Sequence, residues 1–129
     1  MFHFFHRVRR HTISFKHAAD GMLWALKTQP NYQIHLGLSI ISIAAGFFFE
    51  VSQLEWFMIA LLVTMGLVVE TINSALEATL DAVSLDVRDD IKIAKDAAAA
   101  AMLIFAVGSA AIAAVIFVPK IMVYFGISF

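Results

Sequence analysis

The chain has 129 residues, of which 61% are hydrophobic, and its mean hydropathy is +0.85. Soluble domains are closer to one half apolar, so this composition predicts an integral membrane protein with a single domain over residues 1–129. The net charge of −1 excludes a global basic field for nucleic acid, and the absence of cysteine excludes disulfides and thiol chemistry.

The first predicted element, residues 1–30, is a helix that lies on the membrane surface. Five Lys or Arg residues and four His residues alternate there with apolar side chains that recur near helical spacing. Such a helix buries its apolar face at the boundary between headgroups and acyl chains. Proline disfavours helical backbone in the residue before it, so Gln29-Pro30 should end this helix.

Three apolar segments follow, at residues 34–49, 54–69 and 97–118. The first two are close to the lower limit of about 17 residues for a transmembrane helix, so their helices should extend into polar sequence, the second through Asp81 (54–81). Small residues are frequent in the third segment, and they let helices pack closely in lipid. We therefore predict an all-α membrane protein with an N-terminal amphipathic surface helix and three transmembrane helices, completed by an oligomer. A generic alanine-rich helix is the alternative interpretation of the third segment.

The basic residues indicate how these helices are oriented. Five precede the first apolar segment, and Arg88, Lys92 and Lys95 lie between the second and the third, whereas the turn at residues 50–53 has none. The positive-inside rule places the N-terminus and the loop at residues 84–95 in the cytoplasm. The polar end of the second segment then faces the compartment that contains ATP.

A polar stripe begins where the second apolar segment ends. It consists of Glu70, Asn73, Glu77 and Asp81. At about 100° per residue these side chains return to one face of a helix, and at about 1.5 Å per residue the stripe is roughly 16 Å long. Ionisable groups at membrane depth are costly, so their presence indicates a functional site. For Asp81 alone, a bridge between helices or contact with water is the better interpretation.

The stripe and Lys95 include the parts that phosphoryl transfer requires, namely a metal ligand, a cation and a base. Glu77 is suited to hold Mg²⁺, because hard cations prefer carboxylate oxygen, and Lys95 is suited to pair with phosphate. Glu70 lies nearest the hydrocarbon, where removal from water makes a carboxylate a stronger base. Periodicity alone does not name the reaction, because an ion or proton pathway would use the same stripe.

Two motifs at a fixed spacing carry a family resemblance. They are Glu70-x-x-Asn73-Ser74-Ala75-x-Glu77-x-x-x-Asp81 and Ala94-Lys95-Asp96-x-Ala98-Ala99. This sequence resembles the prokaryotic diacylglycerol kinase family, which includes the undecaprenol kinases. The resemblance implies a small homotrimer in the bacterial plasma (inner) membrane that uses ATP and Mg²⁺ to phosphorylate diacylglycerol or undecaprenol. The Asn31-x-x-x-His35 spacing and the start at Phe15-Lys16 lean towards undecaprenol.

The resemblance also implies roles for individual residues. Glu70 is the expected base for the lipid hydroxyl, and Glu77 is the expected ligand of the Mg²⁺ that bridges the ATP phosphates. Asn73 is expected to shape the site. The residues expected to contact the nucleotide are Lys95, Asp96, Arg10 and His17.

Gln29 departs from the family pattern, in which a glutamate at this position is a second metal ligand. An amide offers a carbonyl oxygen to Mg²⁺ but no negative charge, so metal affinity and activity should fall. Two alternatives to an active kinase therefore stay open: a catalytically silent member that serves as a structural membrane protein, and a small ion- or proton-conducting oligomer. Lys95-Asp96 argues against the second, because a transporter has no evident need for this pair.

Overall fold

A computed structural model describes the backbone of residues 2–84, 86 and 88–127, and their side chains from residue 14 onward. The described residues form four α-helices, which confirms the all-α prediction. The helices are α1 (Phe2–Thr28), α2 (Pro30–Phe48), α3 (Gln53–Val83) and α4 (Asp89–Tyr124).

One residue separates α1 from α2. Gln29 has extended backbone angles of φ −106° and ψ 107°, as expected for the residue before a proline, and Pro30 occupies the first turn of α2. The Gln33 side chain reaches back and donates a hydrogen bond to the carbonyl oxygen of Leu26 at 2.9 Å. The surface helix predicted for residues 1–30 therefore corresponds to a helix that ends where the proline requires.

The turn between α2 and α3 ends in a reciprocal cap. Ser52 Oγ accepts from the Glu55 backbone N–H at 3.4 Å, and the Glu55 carboxylate accepts from the Ser52 backbone N–H at 2.6 Å. This capping box satisfies two donors that the first turn of a helix leaves unpaired. Glu55 also pairs with Lys120 Nζ at 3.2 Å, so the same carboxylate connects the start of α3 to α4.

The helix α4 begins earlier than the sequence suggested. Residues 84–95 were expected to form a loop, but α4 starts at Asp89, so Lys92, Lys95 and Asp96 lie on a helix. Two carboxylates in the first turn of α4, Asp89 and Asp90, favour this start, because negative charge stabilises the N-terminal end of a helix. The prediction of a long loop was wrong for this reason.

Among the described helices, α3 and α4 are long and apolar enough to cross a membrane. With 31 and 36 residues, at about 1.5 Å per residue, both exceed a hydrocarbon core of about 30 Å. Their lengths are therefore more than sufficient to cross it. The shorter α2 has 19 residues and carries Asn31, Gln33 and His35 in its first two turns. Its role as a third transmembrane helix stays a prediction.

The helix α3 packs against both α2 and α4, whereas α1 packs mainly against α2. Two glycines allow close approach: a Cβ at Gly46 would lie 2.8 Å from the Trp56 ring, and one at Gly66 would lie 3.0 Å from the Phe105 ring. Large apolar side chains on all four helices are nevertheless exposed, among them Phe15, Ile41, Phe57 and Ile104. Soluble proteins rarely expose so much apolar surface, which agrees with a chain that faces lipid or other subunits.

Candidate active site

The inner part of the polar stripe is buried in the helix bundle. The exposed fractions of Glu70, Asn73 and Ser74 are 1%, 5% and 1%. Ser74 Oγ donates to Glu70 Oε1 at 3.4 Å. Glu70 Oε2 is buried and has no hydrogen-bond partner among the described residues. One oxygen of this carboxylate is thus engaged within the helix, and the other is available to a donor that the described residues do not supply.

The stripe continues towards water one turn further along α3. Asn73 Nδ2 donates to Glu77 Oε1 at 3.3 Å, and Glu77 is half-buried. Asn73 Oδ1 is buried and, like Glu70 Oε2, lacks a partner within the described part of the chain. Unsatisfied buried acceptors are rare in folded proteins and call for an explanation such as a bound ion, water or ligand. Two such acceptors within one helical turn mark the centre of the candidate site.

The outer end of the stripe joins α3 to α4. Lys95 Nζ lies 2.5 Å from Asp81 Oδ1, and both side chains are partly exposed. The ion pair connects α3 to α4, which agrees with the interpretation of Asp81 as a bridge between helices. Asp96 forms a separate pair: it accepts from Lys92 Nζ at 2.6 Å, an i, i+4 contact between two exposed side chains of α4.

Among the described side chains, none of the remaining predicted residues forms a hydrogen bond or ion pair with Glu70, Asn73 or Glu77. His17 is exposed on α1, and Gln29 is half-buried at the joint between α1 and α2. Arg10 lies within α1, but its side chain is outside the described residues. Lys95 is paired with Asp81, one turn beyond Glu77. Within the described side chains, the cluster therefore consists of Glu70, Asn73, Ser74 and Glu77, with no cation paired to it.

A metal site is only partly built by this chain. Among the described residues, no three His, Asp or Glu side chains are placed to hold a metal ion. Mg²⁺ in nucleotide sites is usually bound by one or two carboxylates together with phosphates and waters, so a complete protein cage is not required. Glu77 offers carboxylate oxygens and Asn73 a buried, unpaired amide oxygen, and oxygen ligands of this kind fit that chemistry.

An apolar cleft lies within the helix bundle near the inner end of this cluster. It has a volume of about 240 Å³ and lies between α2, α3 and α4, with Leu38, Leu62 and Phe105 among its lining. Gly66 also lines it and is one helical turn from Glu70 on the same face of α3. The cleft therefore comes within about one helical turn of the buried carboxylate, and most of its lining side chains are apolar.

Comparison with known proteins identifies the family. The model of the prokaryotic diacylglycerol kinase family matches residues 16–117, most of the chain. The chain belongs to this family. An undecaprenol kinase of Bacillus subtilis is 38% identical to this diacylglycerol kinase family member over 108 residues, which cover 84% of this chain and 88% of the relative. Membership confirms the resemblance carried by the two motifs and makes the protein a lipid kinase.

Two diacylglycerol kinases are also similar to this family member. The protein of Synechocystis is 29% identical over 111 residues, which are 85% of this chain and 63% of the relative. The protein of Pseudomonas aeruginosa is 33% identical over 84 residues, which are 65% of this chain and 68% of the relative. The relatives thus include kinases named for each of the two lipids that the sequence left open.

Sequence reasoning missed two features of the site. No role was assigned to Ser74, although its spacing of four residues from Glu70 places both on one helical face. The partner of Asp81 was also not identified, because Lys95 lies 14 residues along the chain on another helix. The first feature was readable from helical spacing, whereas the second requires the packing of α3 against α4.

Proposed function

We propose that this protein transfers the γ-phosphoryl group of ATP to the hydroxyl of a membrane lipid at the cytoplasmic boundary of the bilayer. Undecaprenol is the proposed acceptor in preference to diacylglycerol. The preference is supported by the higher identity to an undecaprenol kinase than to the two diacylglycerol kinases. Kinases of this class bind two substrates from different phases, so the site must be open to both water and lipid.

The observation that carries the proposal is the buried Glu70 carboxylate with its unpaired Oε2. A carboxylate in an apolar setting is a stronger base than one in water, and it needs a donor. A lipid hydroxyl supplies that donor. In the proposed step its proton moves to Glu70 Oε2, its oxygen bonds to the γ-phosphorus, and the bond from phosphorus to the oxygen of ADP breaks.

The nucleotide would bind on the water side of this base. Glu77 would hold Mg²⁺, and the side-chain amide oxygen of Gln29 would add a neutral ligand. The metal, when bound, neutralises charge on the phosphates. Asn73 donates to Glu77 and so fixes the direction in which its carboxylate points. Asp96, His17 and Arg10 are the further residues proposed to contact the nucleotide.

Lys95 needs to change partners for this reaction. It is paired with Asp81 in the protein alone, and the exposure of both side chains means that the pair contributes little to stability. A phosphate carries more negative charge than one carboxylate and would compete for the ammonium group. Lys95 is therefore proposed to turn from Asp81 to the nucleotide on binding.

We also propose the assembly and its orientation. In this proposal α2 is the third transmembrane helix, the N-terminus is cytoplasmic, and three copies form a trimer in the plasma (inner) membrane. The absence of a cation next to Glu77 within the described residues of one chain supports a site that other copies complete. Small residues on α4 would allow the close packing that such a trimer requires.

A silent family member is the second candidate, and Gln29 favours it because a neutral amide replaces the expected carboxylate. One assay separates the two. Purified protein in detergent micelles is incubated with labelled ATP, Mg²⁺ and either undecaprenol or diacylglycerol, with Glu70→Gln as the matched control. We expect label in the undecaprenol fraction that depends on Mg²⁺ and is lost in the control. Labelling of neither lipid would establish the silent member, and faster labelling of diacylglycerol would overturn the proposed acceptor.

A further inference from the structure

Ser74 uses its hydroxyl differently from other hydroxyl residues in these helices. A serine or threonine inside a helix commonly donates to the backbone carbonyl oxygen four residues earlier. Four residues follow that pattern here, at 2.6 to 2.8 Å: Thr28, Ser39, Thr71 and Thr79. Ser74 instead donates to the side chain of the residue four positions earlier, which is Glu70. The backbone therefore does not account for the direction of this hydroxyl.

Burial gives this contact its importance. Glu70 and Ser74 are the largest side chains in the described part of the chain that are less than 2% exposed. A charged acceptor in an apolar setting depends strongly on the donors it has. With Oε1 engaged by Ser74, Oε2 is left without a partner. The contact thus distinguishes the two oxygens of one carboxylate.

We infer that Ser74 is a positioning residue for the base, which holds Glu70 Oε1 so that Oε2 is directed at the lipid hydroxyl. The inference rests on the proposed function. Ser74 itself exchanges no proton: the lipid proton passes to Oε2 while Ser74 continues to donate to Oε1. Without the hydroxyl, the carboxylate would rotate about its Cγ–Cδ bond and lose a donor to its negative charge. The chemical step would then slow, whereas ATP binding at the water end of the stripe would not change.

The test compares three single variants in the kinase assay with purified, full-length protein. Ser74→Ala should lower kcat about tenfold or more, the scale of one hydrogen bond to a charged group, with the KM for ATP within about twofold of the wild type. Ser74→Thr restores a hydroxyl and should recover most of kcat. Thr71→Val is the matched control on the same helix, because its hydroxyl serves a backbone carbonyl, and it should leave kcat unchanged.

Two further measurements separate positioning from a general loss of structure. Ser74→Ala in the Glu70→Gln background should cause no additional loss, because the group that it positions is no longer a base. Ser74→Cys keeps the side-chain volume but is a weak donor, so it should reproduce the loss in kcat even if Ser74→Ala does not fold.

Two results would reject the positioning role while leaving the proposed function intact. These are a Ser74→Ala enzyme with wild-type kcat, and equal losses from this substitution in the wild-type and Glu70→Gln backgrounds. If the wild type phosphorylates neither lipid, the proposed function fails and the inference fails with it, so the wild-type assay tells the two failures apart.

Discussion

Glu70→Gln should reduce lipid phosphorylation by at least about 10²-fold, the low end for removal of a general base. At 1.36 kcal/mol for each factor of ten, this corresponds to about 2.7 kcal/mol of transition-state stabilisation. The structure explains why no other group should take over. Glu77 is the next carboxylate along the stripe, and seven residues at about 1.5 Å each place it roughly 10 Å away. That separation is well beyond the reach of a hydrogen bond.

The same substitution should preserve the fold. Glutamine has the shape of glutamate, and its carbonyl oxygen can accept from Ser74 as Glu70 Oε1 does. Burying an unpaired charge costs more free energy than burying a neutral polar group of the same shape. The thermal midpoint in detergent should therefore equal or exceed that of the wild type, and the KM for ATP should change little. A purified, folded Glu70→Gln protein with turnover near that of the wild type would refute the assignment of the base.

The remaining predictions concern the metal, the orientation and the packing. Gln29→Glu should shift the Mg²⁺ dependence of turnover to lower concentration, because a carboxylate adds charge to the site; an unchanged titration would place residue 29 away from the metal. Glu77→Ala should eliminate metal-dependent turnover in either background, as measured by ADP release, and residual metal-dependent activity would contradict its role. A cysteine at Arg88 should be labelled only from the cytoplasmic side and one at Ser52 only from outside, and the reverse pattern would remove access to ATP. Gly46→Ala should lower the free energy of unfolding by about 1–3 kcal/mol, because the added methyl group overlaps an indole ring; an unchanged thermal midpoint would contradict the close packing.

Periodicity predicted the parts of this fold that depend on one helix alone. The burial of Glu70 and Asn73 on a common face follows from a repeat of about 3.6 residues. The end of α1 follows from the restriction that a proline imposes on Gln29. The start of α4 was missed because a charged segment can form a loop or a first helical turn. The composition of such a segment does not decide between a loop and a helix. The position of its carboxylates does, because Asp89 and Asp90 in the first turn of α4 favour the helix.

Relations between helices could not be predicted from the sequence. The Asp81–Lys95 pair depends on how α3 and α4 are rotated against each other, which spacing along one helix does not determine. The direction of the Ser74 hydroxyl depends on a competition between a backbone carbonyl and a side-chain carboxylate, and both lie four residues earlier. The placement of Gln29 and His17 relative to Glu77 depends on the packing of α1. For a site shared between copies, it also depends on the neighbouring subunit.

The burial of Glu70 within the helix bundle has a consequence for how the rate of this kinase would depend on its two substrates. The carboxylate lies at the end of an apolar helix segment, with an apolar cleft on one side along α3 and the polar Asn73 and Glu77 on the other. One substrate would arrive by diffusion in three dimensions and the other by diffusion within a two-dimensional sheet. The rate would then depend on the molarity of ATP but on the mole fraction of the acceptor lipid in the bilayer. Diluting the membrane with inert lipid at constant acceptor amount would slow such an enzyme, whereas diluting the whole suspension at constant ATP concentration would leave the turnover per enzyme unchanged.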